Sequence, residues 1–160
     1  KIYSMHWATD ANVNKHLVSA SQDGKLIVWD AHAAIKQAAI SLRSSWVMTC
    51  AYANLGSKRL VGCGGLDNIC SLYDIDTHAP SKVVAELVAH TGYVSCCRFG
   101  PDQTAVTASG DMSCIRWDVQ TATPLNQYAE HDGDVMCIAV APHGGKLFVS
   151  AACDALAKVS

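Results

Sequence analysis

A group of polar residues in the second half of the chain could do chemistry. His90, Ser109 and Asp111 are the residue types of a hydrolase triad, in which a histidine takes the proton of a serine nucleophile and an aspartate orients the histidine. A buried turn aspartate also needs hydrogen-bond partners. A loop histidine, a strand hydroxyl from Thr107 or Ser109 and the indole N–H of Trp117 could supply them as a satisfied polar chain. Both a catalytic and a structural interpretation therefore start from the same residues.

Repetition of the aspartate favours the structural interpretation. A segment that starts with Asp, and in three copies ends six residues later in an aromatic residue and Asp, recurs at steps of 44, 44 and 43 residues. The copies begin at Asp23, Asp67, Asp111 and Asp154. Copies without a histidine keep the Asp, no strained elbow surrounds the Ser, and a catalytic set has no reason to repeat at a fixed period. Because an unpaired buried carboxylate costs several kcal/mol, we predict a second polar chain from His131 to Asp154.

The eight cysteines are a further candidate for chemistry. None forms a C-x-x-C pair, and each lies in an apolar or small-residue run. In a charge-balanced chain without a secretion signal, this pattern favours reduced, buried cysteines over a zinc or redox site. A glycine-rich phosphate loop and a nucleophile elbow are also missing from the sequence. We therefore expect a protein that is not an enzyme and that needs neither a metal nor a cofactor.

Composition limits the classes of partner. The 160 residues include 12 Lys+Arg and 14 Asp+Glu, which gives a net charge of −2, and 50% of them are hydrophobic. This is the composition of a chain that forms a core, and without a Lys/Arg run it does not favour nucleic acid or an anionic membrane surface as the main partner. No apolar stretch approaches the roughly 18 residues that span a bilayer, and residues 1–7 do not resemble a signal peptide. We expect a cytoplasmic protein.

Short apolar runs between the repeated aspartates predict strands. In the third copy we predict strands at residues 94–99, 105–109, 114–119 and near 125–128, separated by Gly, Pro, Asn and Asp. No segment has a helical apolar stripe sustained over three turns. A period of about 40 to 45 residues that ends in Trp-Asp is typical of β-propeller blades. The predicted class is all-β, built from four-stranded antiparallel sheets.

The repeats resemble the WD40 family, and within it the β subunits of heterotrimeric G proteins. The strings that carry the resemblance lie at residues 19–27, 42–53, 63–71, 90–99, 133–136 and 153–155. The resemblance covers essentially the whole chain and implies a seven-bladed propeller, of which this chain supplies under four blades. The repeat divides it into blade one (1–30), blade two (31–74), blade three (75–118) and blade four (119–160).

Measured against the family, the chain is expected to be a fragment. It stops at Ser160, where the repeat would place an aromatic residue, and it has no N-terminal helix of the kind that pairs with a γ subunit. A partial propeller would expose two apolar blade faces that neighbouring blades normally cover. Two local departures are a lengthened turn at residues 13–16 and the triplet 130–132, Glu-His-Asp, in place of Gly-His-Thr.

Some apolar residues lie where blade packing does not require them. Trp46, Leu66, Tyr93 and Met136 occupy loop or strand-edge positions at the same end of successive blades. Apolar anchors surrounded by polar residues are typical of a protein interface. The alternative, that some of them are ordinary packing residues, stays open.

The resemblance gives this end of the blades a function. It implies a face that binds the GDP-bound α subunit and, after the α subunit leaves, effectors. The matching residues are Lys1, Tyr3, Gln22, Ser45, Trp46, Met48, Leu66, Asn68, Thr91, Gly92, Tyr93, Asp134, Met136 and Cys153. A second contact, from the N-terminal helix of the α subunit, would fall on Lys25, Ile27 and Lys36.

The remaining expectations also come from the resemblance. A γ subunit is the implied constitutive partner, and the implied location is the inner face of the plasma membrane, reached through lipidated partners. The alternative is a general WD40 scaffold or adaptor that binds peptides or other proteins without a preference for a GDP-bound GTPase.

Overall fold

The computed structural model describes residues 1–7, 16–55, 58–75, 82–142 and 146–160. Within them the chain forms fifteen strands and no helix, arranged in four antiparallel sheets. The first sheet consists of β1 (Ile2–Trp7), β2 (His16–Ser21), β3 (Lys25–Asp30) and β4 (Ile35–Ser41). The second consists of β5 (Val47–Leu55), β6 (Lys58–Gly65), β7 (Ile69–Asp74) and β8 (Val83–Val88). The third consists of β9 (Val94–Phe99), β10 (Thr104–Ser109), β11 (Cys114–Asp118) and β12 (Thr123–Tyr128). The fourth consists of β13 (Val135–Val140), β14 (Phe148–Ala152) and β15 (Ala157–Val159).

Each sheet is a simple meander in which consecutive strands pair, so the predicted all-β class of antiparallel, blade-like sheets is confirmed. The sheets are offset from the repeat units by one strand. β4 follows the Trp29-Asp30 end of the first repeat, yet it pairs with β3 and completes the first sheet. The reason is local, because a short turn after β3 places β4 antiparallel beside it. The sheets therefore extend past the repeat ends at residues 30, 74 and 118. Residues 13–15 of the predicted long turn lie outside the described part of the chain.

Neighbouring sheets meet through their first strands, β1, β5, β9 and β13. Hydroxyl groups join these strands, because strands of different sheets share no backbone ladder. The backbone N–H of Cys50 donates to Oγ of Ser4 at 3.2 Å, and that of Cys97 donates to Oγ1 of Thr49 at 3.0 Å. Each bond satisfies a backbone N–H on a first strand that the adjoining sheet would otherwise bury without a partner.

Three apolar clusters fill the spaces between successive sheets. Many of their members are small, and the approach is closest at Gly64 on β6. A Cβ at this position would lie 2.6 Å from Cγ1 of Val94 on the next sheet. Only glycine fits at that distance. The largest fully buried side chain is that of Trp117, which belongs to the cluster between the second and third sheets.

The turn after the second strand has the same conformation in all four sheets. In each turn the residue that directly follows the aspartate has a positive φ. The N–H of this residue donates to the carbonyl three residues earlier at 3.1–3.3 Å. These residues are Gly24 (φ 75°), Asn68 (63°), Met112 (68°) and Ala155 (64°). The preceding aspartate accepts the N–H two residues further on, at 3.0–3.4 Å. The repeated aspartate is thus explained first by the turn it stabilises.

The outer sides of the first and last sheets expose apolar side chains. Met5 and Trp7 are 62% and 54% exposed on β1, and Val159 is 73% exposed on β15. In a propeller these are the sides that adjoining blades would cover. Within the described residues, no helix has the length and hydrophobicity needed to cross a bilayer.

The tight contact at Gly64 predicts the effect of a substitution. Gly64→Ala should lower the free energy of unfolding by about 1–3 kcal/mol, because the new methyl group overlaps Val94. Urea denaturation followed by circular dichroism measures this change.

Gly62→Ala is the matched control on the same strand. Its Cβ would meet Cδ2 of Leu72 at 3.2 Å and Cζ of Phe99 at 3.4 Å, both ends of side chains that can shift. Its expected loss is under about 1 kcal/mol. Equal losses for the two variants would contradict close packing between the second and third sheets.

Candidate functional site

The antiparallel pairing brings the start of each first strand beside the turn after the second strand. Val47 pairs with Gly65, Val135 with Ala152, and Ile2 with Ser21. The residues before each first strand and those in the β2–β3, β6–β7, β10–β11 and β14–β15 turns therefore share one end of every sheet. We call this end the upper face.

A β-bulge opens each first strand at this face. The register skips one residue between positions 2 and 4, 47 and 49, 94 and 96, and 135 and 137. The residues outside the ladder are Tyr3, Met48, Ser95 and Met136. A bulge changes the direction of its side chain. Three of these four residues belong to the set that the family resemblance assigns to binding, although no sequence signal marked a bulge.

Trp46 anchors the first of two groups on the upper face. Its backbone N–H donates to the carbonyl of Gln22 at 3.0 Å, and the N–H of Gln22 donates to the carbonyl of Lys1 at 2.8 Å. The Trp46 side chain is 42% exposed, and its ring centroid lies 6.1 Å from that of Tyr3. Four predicted binding residues are thereby brought together across the first and second sheets.

The backbone at Trp46 is strained. Its φ of 67° is in the left-handed region, which costs a non-glycine residue about 1–2 kcal/mol. The Trp46 carbonyl lies so close to Gly65 that a Cβ there would be 2.1 Å away. Strained backbone that the surrounding structure holds in place is more common at functional sites than elsewhere.

Tyr93 anchors the second group, between the third and fourth sheets. Its hydroxyl donates to Oδ2 of Asp134 at 2.7 Å and lies 3.5 Å from Sδ of Met136. The hydrogen bond to the Asp134 carboxylate, with burial, raises the pKa of Tyr93 to about 12, so this hydroxyl keeps its proton at neutral pH. The N–H of Cys153 donates to the carbonyl of Asp134 at 2.9 Å. Tyr93, Asp134, Met136 and Cys153 thus form one connected set.

The turn of the second sheet lies between these groups. Nδ2 of Asn68 donates to the carbonyl of Thr91 at 3.3 Å, which links the second sheet to the third. Leu66, in the same turn, is 52% exposed. Gly92 is required because a Cβ there would lie 2.6 Å from the backbone nitrogen of Asp111. Of the remaining predicted residues, Ser45 is exposed and Met48 half-buried.

The second predicted contact lies on the third and fourth strands of the first sheet. Lys25 and Ile27 alternate with the buried Leu26 and Val28 on β3, so they face the opposite side of the sheet. Lys36 is exposed on β4, where it pairs with Trp29. Ile27 and Lys36 are therefore separate from the upper face, whereas Lys25 directly follows the β2–β3 turn.

Beneath the upper face, the third sheet contains a continuous chain of hydrogen-bonded polar side chains. Nδ1 of His90 lies 2.9 Å from Oδ2 of Asp111, and its Nε2 lies 2.7 Å from Oγ1 of Thr107. The indole N–H of Trp117 donates to the same Thr107 oxygen at 2.8 Å. Thr107, and not Ser109, joins His90 to Trp117. Ser109 instead accepts the backbone N–H of Asp111 at 3.1 Å.

The other sheets show how general this chain is. In the fourth sheet His131 lies 2.7 Å from Asp154 and 2.8 Å from Ser150. In the first sheet the indole N–H of Trp29 donates to Ser19 at 2.8 Å. The linking hydroxyls all lie four residues before the turn aspartate. This spacing was available in the sequence and distinguishes Thr107 from Ser109. A chain that recurs in this way is a structural element of the sheets.

Hydrogen bonds set the ionisation of the turn aspartates in the third and fourth sheets, whose side chains are only 12% and 7% exposed. Burial would raise the pKa of Asp111, but bonds from Ser113, His90 and the Thr91 backbone outweigh it and hold the pKa at about 2, against an ordinary value of 3.8. The pKa of Asp154 is also about 2, since bonds from His131 and nearby backbone N–H groups outweigh burial.

The eight cysteines are all free thiols. Six cysteines are buried, as expected, but Cys137 and Cys153 are exposed. Cys137 lies on the first strand of the last sheet, and Cys153 lies in a turn at the upper face. Burial raises the pKa of the Cys50 thiol to about 12. Within the described part of the chain, no three His, Cys, Asp or Glu side chains are placed to hold a metal ion.

Comparisons with known proteins agree with the geometry. The family model for G protein beta WD-40 repeat proteins matches residues 1–160. The guanine nucleotide-binding protein subunit beta of Dictyostelium discoideum is 56% identical over 154 residues, which cover 96% of this chain and 43% of that protein. The G(I)/G(S)/G(T) subunit beta-1 of Homarus americanus is 55% identical over 97% of this chain and 44% of its own length. Subunit beta-1 of Drosophila melanogaster is 56% identical over 96% of this chain and 44% of its own length. The chain spans under half the length of these relatives.

The polar chain predicts different costs for two neighbouring hydroxyl deletions. Thr107→Ala should destabilise the fold by about 2–4 kcal/mol, because it leaves Nε2 of His90 and the Trp117 N–H without a partner. Ser109→Ala, the control, removes one acceptor at a turn and should cost about 1 kcal/mol. Urea unfolding measures both variants, and a larger loss for Ser109→Ala would contradict the assignment of Thr107.

The low pKa of Asp111 predicts a pH dependence. Since the folded-state pKa of about 2 is below the ordinary 3.8, the carboxylate contributes stability above about pH 4 that is lost as pH falls towards 2. Asp111→Asn should be less stable at pH 7 and should lose less stability over this range. The free energy of unfolding, measured from pH 7 to pH 2, tests this, and parallel curves for the two proteins would contradict it.

Proposed function

Because the chain belongs to the G protein β WD-40 repeat family, we propose that it acts in signal transduction by binding a GDP-bound G protein α subunit through the upper face. After the α subunit leaves, the same face would bind effectors. The observation that carries this proposal is the placement of exposed apolar residues, held by hydrogen bonds between sheets, at one end of successive sheets.

The apolar residues would supply most of the binding energy. Trp46, Leu66 and Met136 are 42%, 52% and 44% exposed, and each lies beside polar groups on the upper face. Large side chains of this kind, desolvated at the centre of an interface and surrounded by polar contacts, are typical binding hot spots. The backbone of Trp46 is already fixed before a partner binds, which reduces the entropy lost on binding.

The polar residues would set specificity. Asp134 presents a carboxylate that Tyr93 orients, and Asn68 presents an amide that its bond to Thr91 holds in place. Lys1 and Gln22 would add contacts beside Trp46. Groups held in this way discriminate between partners because a mismatched surface leaves them desolvated and unpaired.

The mechanism we propose is competitive binding without chemistry by this chain. Exchange of GDP for GTP would change the shape of the switch region on the α subunit and release the upper face. Since one face serves the α subunit and the effectors, binding of either excludes the other. A second contact, with the N-terminal helix of the α subunit, would be formed by Lys25, Ile27 and Lys36 on the third and fourth strands of the first sheet.

The remaining partners in this proposal are those expected from the family. A γ subunit would pair with the complete protein. Location at the inner face of the plasma membrane would come from lipidated partners. The relatives are named as subunits of guanine nucleotide-binding proteins, which supports a multisubunit setting.

Trp46→Ala tests the proposed face directly. The affinity for a GDP-loaded α subunit should fall by about 2 kcal/mol or more, roughly thirtyfold, because a central aromatic anchor is removed. Isothermal titration calorimetry measures the affinity, and circular dichroism checks that the fold is retained.

Leu125→Ala is the matched control. Leu125 is 50% exposed, but it lies on β12, the outer strand of the third sheet, away from the upper face. Its loss should leave the affinity unchanged. Equal affinities for the Trp46 variant and the unmodified chain would remove Trp46 from the interface.

A further inference from the structure

The second sheet keeps the turn aspartate but not the histidine that the third and fourth sheets pair with it. Arg43 occupies the place of His90, four residues before the first strand. Its guanidinium does not enter the sheet. Nη1 of Arg43 donates instead to Oε1 of Glu86 at 3.1 Å, and the Arg43 side chain is 80% exposed. Asp67 is therefore exposed, whereas the side chain of Asp111 is only 12% exposed.

The two partners deeper in the sheet are also replaced. Cys63 lies where the third sheet has Thr107, four residues before the turn aspartate, and Tyr73 lies where it has Trp117. The Cys63 thiol donates to the carbonyl of Ser71, at 3.7 Å. Tyr73 is only 4% exposed, and among the described residues its hydroxyl has no hydrogen-bond partner.

A cavity lies where the third sheet has its imidazole. Its lining includes Arg43, Cys63, Asp67 and Tyr73, the four residues at the positions of the polar chain, together with Trp46. Its volume is about 50 Å³. That is room for roughly three or four waters, or for one five-membered ring. Apolar walls with a few convergent polar groups are typical of a ligand site.

We propose that this cavity, which we call the Asp67 cavity, binds an imidazole ring. A neutral imidazole has one N–H donor and one nitrogen acceptor on opposite sides of a flat ring. In the third sheet these positions meet a carboxylate and a hydroxyl, those of Asp111 and Thr107. In the Asp67 cavity the N–H donates to the Asp67 carboxylate, and the second nitrogen accepts from the Tyr73 hydroxyl.

The charges around the cavity fit this ligand. Asp67 and Glu86 are acidic and Arg43 is basic, so the lining has a net negative charge that favours an N–H donor over an anion. Burial raises the pKa of Tyr73 to about 12, so its hydroxyl keeps its proton and remains available as a donor. The ring could be free or could be the side chain of a histidine in a bound peptide.

Titration of the ¹⁵N-labelled chain with imidazole at pH 8, followed by NMR, tests the proposal. Saturable shifts are expected at the amides of residues 67–69 and at the indole of Trp46. 1-Methylimidazole, which lacks the N–H donor, should bind at least about tenfold more weakly. A pentapeptide with a central histidine distinguishes the two sources, because only a peptide ligand would give the same shifts at lower concentration than imidazole.

Two variants complete the experiment. Asp67→Asn removes the charged acceptor at an exposed position and should weaken imidazole binding about tenfold. The double variant Arg43→His, Cys63→Thr rebuilds the chain of the third sheet, fills the cavity and should abolish binding. Absence of saturable shifts in the unmodified chain, or undiminished binding by either variant, would overturn the proposal.

Discussion

The carboxylate of the turn aspartate is the interaction on which the upper face of the third and fourth sheets depends. In the third sheet, Asp111 accepts bonds from the His90 ring, the Thr91 backbone and both the N–H and the hydroxyl of Ser113. It thereby ties the loop before the first strand to the turn after the second. A buried carboxylate without these bonds would cost several kcal/mol, so the loop has little freedom to move. The position of Tyr93, two residues after Thr91, follows from this constraint.

A second constraint is the close approach of the first strands. Hydroxyl-bearing residues join these strands, glycine is needed where the neighbouring β6 meets β9, and each first strand begins with a bulge. The bulge releases one residue of the strand from the ladder at the upper face. The bulges hold Tyr3 and Met136 at the surface, and the bond from the Trp46 N–H to the Gln22 carbonyl does the same for Trp46. A rigid apolar surface loses little entropy when a partner covers it.

Much of the fold follows from periodicity alone. The repeat of Asp at 44, 44 and 43 residues and the short apolar runs predict the sheets, because each turn requires the same carboxylate. The pairing of His131 with Asp154 follows from the same argument. The bulges could not be predicted, since they depend on register between strands rather than on residue type. The Asp67 cavity could not be predicted from the sequence either. It exists because the Arg43 side chain turns outward to Glu86, and residue type alone does not reveal that direction.

The central claim is that the upper face distinguishes two states of a G protein α subunit. The most direct test is equilibrium binding of the chain to an α subunit loaded first with GDP and then with a non-hydrolysable GTP analogue. Our account predicts tight binding to the GDP form and binding weaker by a factor of about 100 or more to the other, the upper range of coupling between two sites. Equal affinity for the two forms would contradict it.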